Sequence, residues 1–154
     1  KTAEYDLCIL ATSDKGFGYK KDIHVWISED DYENANLMIL LSYIILGHRD
    51  WKKGQIKIYA TFPAESLKQE KEKLIQLTSS GRLPISANNI RVIALDKGGS
   101  KLDLINEYSQ DADLTVIGFQ ESKGTKGMDI QFFDGYDKIG NVLFVNTLTS
   151  KFIK

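Results

Sequence analysis

The stretch SEDDYENANLMILLSYIIL, residues 28 to 46, decides how this chain folds. It follows the apolar run Ile23-His24-Val25-Trp26-Ile27, so a strand passes through an acidic loop into an apolar helix. In α/β proteins a strand–loop–helix turn of this kind is where phosphates and cofactors most often sit. A phosphate cradle needs glycines for close backbone approach and helix N–H groups free to meet an anion. Residues 29 to 34, Glu-Asp-Asp-Tyr-Glu-Asn, offer no glycine and four carboxylates. Two charges about 4 Å apart interact by about 1 kcal/mol in water and by several times that near a protein surface. The acids therefore repel a phosphate and instead complement the positive end of the helix dipole. The alternative left to this loop is contact of Asp30 or Asp31 with adenine or ribose.

Outward from this stretch, strand and helix signals alternate. Tyr5 to Thr12 reads as a strand and Asp14 to Gly18 as a turn, followed by another strand over Lys21 to Ser28. A helix is expected from Asn34 to Gly47, with Gly47 just past its end. Ile56 to Phe62 forms a strand stopped by Pro63. Leu67, Lys71, Leu74, Ile75 and Thr78 recur at helical spacing, with Ser66 and Gln69 as a capping box and Gly81 as the stop. Ile90 to Leu95 is a strand, and Ser100 with Asp103 opens a helix carrying Leu102, Ile105 and Tyr108. Leu114 to Phe119 and Asn141 to Thr147 are the last two strands. Several strands, such as Leu114-Thr115-Val116-Ile117-Gly118-Phe119, are apolar throughout, as strands buried on both faces are. The fold class is α/β: three layers, a mostly parallel five-stranded sheet flanked by helices, and one extra N-terminal strand. The strands at 5 to 12 and 21 to 28 have the form of a hairpin. A central strand already has two neighbours, so the N-terminal strand has to pair at an edge or the strand order is unusual.

The chain has 154 residues, 42% of them hydrophobic and 27% charged, which suits one domain with its own core. Twenty basic residues against 21 acidic leave a net charge of −1, so nucleic acid is not an expected partner. The single cysteine, Cys8, excludes a disulfide framework and lies in an apolar run, where burial is expected. Two histidines and one cysteine give no zinc spacing, and no metal is expected. The longest apolar run, Leu37 to Leu46, is about half of the roughly 20 residues that cross a bilayer. No signal peptide opens the chain, and the missing initiator methionine suggests a fragment of a longer protein.

The other candidate site is the glycine- and lysine-containing loop from Gly118 to Gly127. It is not a P-loop, because no Gly-Lys-Ser/Thr leads into a helix. No catalytic constellation is present: His24 lies inside a strand and His48 at a helix end, neither near a nucleophile elbow. His48, Arg49, Lys52 and Lys53 cluster past a helix C-terminus, where cations are favoured, and a membrane-surface role is the alternative reading of that cluster. The helix Leu37 to Leu46 is apolar around most of its circumference, more than one sheet face needs. Ile39 and Tyr43 are therefore the candidates for an association surface.

Two stretches together resemble a known family. The segment IHVWISEDDYENANLMILLSYIILGHRDWKKGQIKIYATF, residues 23 to 62, resembles the cytoplasmic C-terminal domain of cation-chloride cotransporters, within the amino acid–polyamine–organocation superfamily. The matching residues are Trp26, Asp30-Asp31, Leu40-Leu41-Ser42-Tyr43, Trp51 and Lys57-Ile58-Tyr59. The segment DADLTVIGF, residues 111 to 119, is similar to a strand shared by that family and the universal stress proteins. The family's double glycine after the acidic pair is replaced here by Tyr32-Glu33-Asn34. Gly124 and Gly127 match the start of the universal stress protein nucleotide signature, but the position expected to hold its next glycine is Asp137. The nearest later glycine, Gly140, is followed by Asn141 where the signature has Ser or Thr.

The resemblance implies a universal-stress-protein-like fold and a non-catalytic cytoplasmic domain that regulates or assembles a cotransporter-like (Na-K-Cl type) or amino acid permease-like secondary transporter. Its partners are then the transmembrane domain of the same chain and a further copy of itself, at the cytoplasmic side of the cell membrane. Neither a cofactor nor a small-molecule substrate is expected. The alternative is an ATP-binding universal-stress-protein-like module, whose nucleotide site would draw on Asp30, Gly118, Gly124, Gly127 and Gly140.

Overall fold

A computed structural model describes residues 5–29, 32–80, 85–120 and 133–147. The strands are β1 (Leu7–Ala11), β2 (Asp22–Ser28), β3 (Gln55–Phe62), β4 (Ile90–Ala94), β5 (Leu114–Gly118) and β6 (Asn141–Asn146). They form one sheet in the order β1-β6-β5-β2-β3-β4. All neighbours from β6 to β4 are parallel, and β1 alone is antiparallel, paired with β6. The expected five-stranded parallel sheet with an extra N-terminal strand is what folds. The hairpin-like appearance of the first two strands is resolved by β1 pairing at the edge, with Ile9 opposite Phe144.

The helices are α1 (Tyr32–Leu46), α2 (Leu67–Ser80) and α3 (Lys101–Tyr108). Right-handed crossovers fix where they lie. From β2 to β3 to β4 the chain steps one way across the sheet, so α1 and α2 share a face. It then returns past β2 to β5, which puts α3 on the other face. The first face is aliphatic: Ile23, Val25, Ile27, Ile56, Ile58, Phe62 and Val116 meet Ala35, Met38, Ile39 and Leu74. The other is aromatic: Trp26, Tyr59, Phe119 and Phe144 with Ile105, Ile117 and Ile139.

Three local expectations need correction. Cys8 is exposed, because β1 is an edge strand whose Leu7 and Leu10 are also partly open to solvent. The capping box at Ser66 does not form. Pro63 leads into a 3-10 turn over Ala64–Ser66, and Ser66 Oγ donates back to the Pro63 carbonyl at 3.3 Å. Ile39 is 1% exposed and belongs to the core, since its side of α1 faces the sheet; it presents no association surface. By contrast, Ser100 caps α3 as read, accepting from the Asp103 amide at 3.3 Å.

Candidate functional site

The strand order reverses between β2 and β5, so the carboxyl ends of these two strands flank the crevice where open α/β sheets place ligands. The crevice has a filled half and a hollow half. The filled half lies over β5 and β6. Asn34, in the first turn of α1 and 1% exposed, donates from Nδ2 to the Phe119 carbonyl at 3.0 Å. Its Oδ1 accepts from the Thr147 amide at 2.8 Å. Asn146 Nδ2 donates to the same Phe119 carbonyl at 2.8 Å. One side chain thus ties the start of α1 to the ends of β5 and β6, and both ends of its amide are spent within the protein.

The hollow half lies over β2, β3 and β4. It encloses about 260 Å³ between Ser28, Glu29, Thr61, Pro63, Leu95 and Lys101. Drug-sized and cofactor sites usually run from about 300 to 1,000 Å³, so this one is small. Lys101, the first residue of α3, donates from Nζ to Ser28 Oγ at 3.4 Å. Thr61 Oγ1 is buried without a hydrogen-bond partner. A larger hollow of about 560 Å³ opens elsewhere, between residues 11–15 and 133–144 on the aromatic face. It is away from the switch point, and the Lys15 ammonium there is taken up by the Lys138 carbonyl at 2.6 Å.

Of the residues expected to form a nucleotide site, Asp30, Gly124 and Gly127 lie outside the described residues, as does Asp31. Gly118 ends β5 at the crevice. Gly140 does not join it. It precedes β6 at the opposite end of the sheet, where a side chain would press on the Gly16 carbonyl. Val145, not Gly140, is level with Gly118. Five residues of strand, about 16 Å at about 3.3 Å per residue, separate the two glycines. Tyr43 is 41% exposed on the outer side of α1, with Ile44 beside it at 60%.

Sequence reasoning missed a buried polar group on the aromatic face. Trp26 Nε1 donates to Ser109 Oγ at 2.8 Å, and His24 Nδ1 lies 2.9 Å from the same oxygen. An indole N–H only donates, so the arrangement that satisfies all three has the Ser109 hydroxyl giving its own hydrogen to Nδ1. Burial, with Lys57 nearby, holds the His24 imidazole down to about 4, so it is neutral at ordinary pH. Trp26 stacks on Tyr59 with centroids 4.8 Å apart and planes at 13°. The group pins the end of α3 to the central strand. It is enclosed by protein and has the character of a structural clasp. Its parts lie more than 80 residues apart, beyond any local pattern.

No protein-family model matches the chain, and no curated protein matches it in sequence. Solved structures do. The cytoplasmic domain of a prokaryotic cation chloride cotransporter superposes with a TM-score of 0.66 over 92% of this chain, at 15% identity. A protein of Pseudomonas aeruginosa UCBPP-PA14 assigned to the universal stress proteins superposes with a TM-score of 0.63 over 89% of this chain, at 18% identity. The chain spans about half the length of each, 52% and 51%. At these identities the likeness establishes a shared fold, the universal-stress-protein-like α/β sheet.

Proposed function

We propose that this chain is a non-catalytic cytoplasmic domain that regulates or assembles a cation-chloride-cotransporter-like secondary transporter. The observation that carries this reading is the Asn34 tie. The first turn of α1 is fastened to the ends of β5 and β6 by the Asn34 side chain, which fills that half of the crevice with protein hydrogen bonds. The two described glycines of the alternative nucleotide site stand at opposite ends of the sheet, which supports the same reading. The likeness to a transporter's cytoplasmic domain over 92% of the chain agrees with it. On this reading the partners are a transmembrane segment of the same protein and another copy of the domain. The outer side of α1 at Tyr43 and Ile44 is the contact surface for one of them. The ATP-binding alternative rests on the small hollow beside Lys101.

Sedimentation equilibrium, run from micromolar to near-millimolar protein, tests the association. A self-associating wild type that Tyr43→Glu and Ile44→Glu turn monomeric, with their folds intact, is the expected result. Reading the gene on both sides of the described segment tests the transporter assignment. A multi-span membrane region in the same frame is expected, and a free-standing frame with none contradicts it.

A further inference from the structure

The amino ends of β2 and β3, at the far side of the sheet from the crevice, carry a feature that the proposed role leaves unused. The turn before β2 and the loop after α1 lie side by side there. The Gln55 amide donates to the Lys21 carbonyl at 2.7 Å, and Lys20 Nζ pairs with Asp50 Oδ2 at 3.0 Å. The loop is anchored. Trp51 is 6% exposed and meets Phe17 edge-on at 6.1 Å, and the Gly54 amide donates to the Trp51 carbonyl at 2.7 Å. Gly54 itself is hemmed in by Leu46 and the Lys21 carbonyl, so a side chain there would collide with them.

On this base stand Lys20, Lys21, Arg49, Lys52 and Lys53. Three carboxylates lie beside them. Asp113 is buried and accepts from the amides of Tyr19, Lys21 and Asp22 at 3.0, 2.8 and 2.8 Å. Asp50 is engaged by Lys20 and neighbours Arg49 at 3.7 Å. Asp22 accepts from Gln55 Nε2 at 2.8 Å and faces Lys57 at 3.7 Å. Lys21, Lys52 and Lys53 are exposed, and no carboxylate among the described residues forms an ion pair with them. The side chain of Arg49 is 91% exposed. A chain whose net charge is −1 therefore concentrates positive charge on two adjoining loops. Tyr19, 86% exposed, stands beside Lys20.

We propose that this end of the domain docks on an anionic bilayer surface. The cations spread over two neighbouring loops and converge on no single point, which suits a diffuse array of headgroups better than one bound anion. An exposed tyrosine at the edge of a basic patch is, like tryptophan, a side chain enriched at the headgroup level. Charges on a fixed base, such as the Trp51 anchor supplies, lose less side-chain and loop freedom on docking. Each basic residue near an anionic leaflet is worth about a fivefold gain in binding, and the effect fades within a Debye length. The inference stands on these charges and does not depend on how the crevice is read.

Vesicle co-sedimentation is the test, with phosphatidylserine-containing and pure phosphatidylcholine vesicles, at low and high salt. The wild type is expected on the anionic vesicles at low salt and in solution otherwise. The pair Lys52→Glu and Lys53→Glu, which reverses two charges, is expected to weaken binding at least about tenfold. The control pair Lys68→Glu and Lys71→Glu, on the exposed side of α2, changes net charge equally and should bind far better than the loop pair. Failure to bind anionic vesicles at low salt would overturn the proposal, as would equal binding to both lipids or equal loss in both variant pairs. Tighter binding to a soluble acidic peptide or duplex DNA, measured by competition, would assign the patch to a different partner and overturn it as well.

Discussion

The two faces of the sheet solve the same burial problem by different chemistry. The face under α1 and α2 is filled mainly by Val, Ile, Leu, Met and Phe62, with Trp51, and two hydroxyls buried in its helices are satisfied within one turn. Ser42 Oγ donates to the Met38 carbonyl at 2.8 Å and Thr78 Oγ1 to the Ile75 carbonyl at 3.0 Å. Among the described residues, the face under α3 has that one short helix to cover it. Large flat rings fill the space instead, and rings with N–H or imidazole groups need partners. Those partners come from far along the chain, as Ser109 does for Trp26 and His24. Apart from the Asn34 tie at the crevice, the aliphatic face thus holds by shape and local bonds, whereas the aromatic face relies on long-range bonds such as those to Ser109.

The largest expected effect lies on the aromatic face. Trp26→Ala removes the stack on Tyr59 and the bond to Ser109 from the central strand, at a cost of about 3–5 kcal/mol. An unfolding midpoint in denaturant close to the wild-type value would refute the placement of Trp26 as a cornerstone. The next effect distinguishes the faces by pH. The unfolded chain protonates His24 near its ordinary value of 6.5, while the folded chain resists until about 4. The stability that this neutral imidazole confers is complete above about 6.5 and is lost as pH falls towards 4, by up to about 3 kcal/mol. Denaturant midpoints across that window should fall, and His24→Phe should flatten the fall whatever it does to stability at neutral pH. The smallest effect is on the aliphatic face. Ile58→Val deletes one methylene from a fully buried position and should cost about 1 kcal/mol with no pH dependence between 4 and 6.5. A cost relative to the wild type at the same pH that changed across that window would erase the distinction drawn between the faces.

The same contrast explains what could be read from the sequence. The elements of the aliphatic face came from hydrophobic runs with clear stops, and α1 over Tyr32–Leu46 and β3 over Gln55–Phe62 match the expected spans to within two residues. Ser100 was legible as a cap because its partner is three residues away. The pairing of β1 was not legible, since its neighbour β6 begins 130 residues after Ala11 and only the closed sheet shows which edge is free. Cys8 reads as internal because an edge strand and a central strand share the same apolar composition. Ile39 and Tyr43 are equivalent by sequence on a helix that is apolar all round, and only the direction of the sheet separates them. At the crevice, the acids and the broken glycine pattern were plain. Asn34 was hidden, because its role depends on Phe119 and Thr147 arriving from the other end of the chain.

The central claim is that the nucleotide-type crevice has been closed by the protein's own side chains. Isothermal titration calorimetry with ATP, carried to millimolar nucleotide, tests it most directly. The account predicts no saturable heat for the wild type. Micromolar binding that Lys101→Ala abolishes would show that the hollow beside Ser28 and Thr61 receives a nucleotide, and would contradict it.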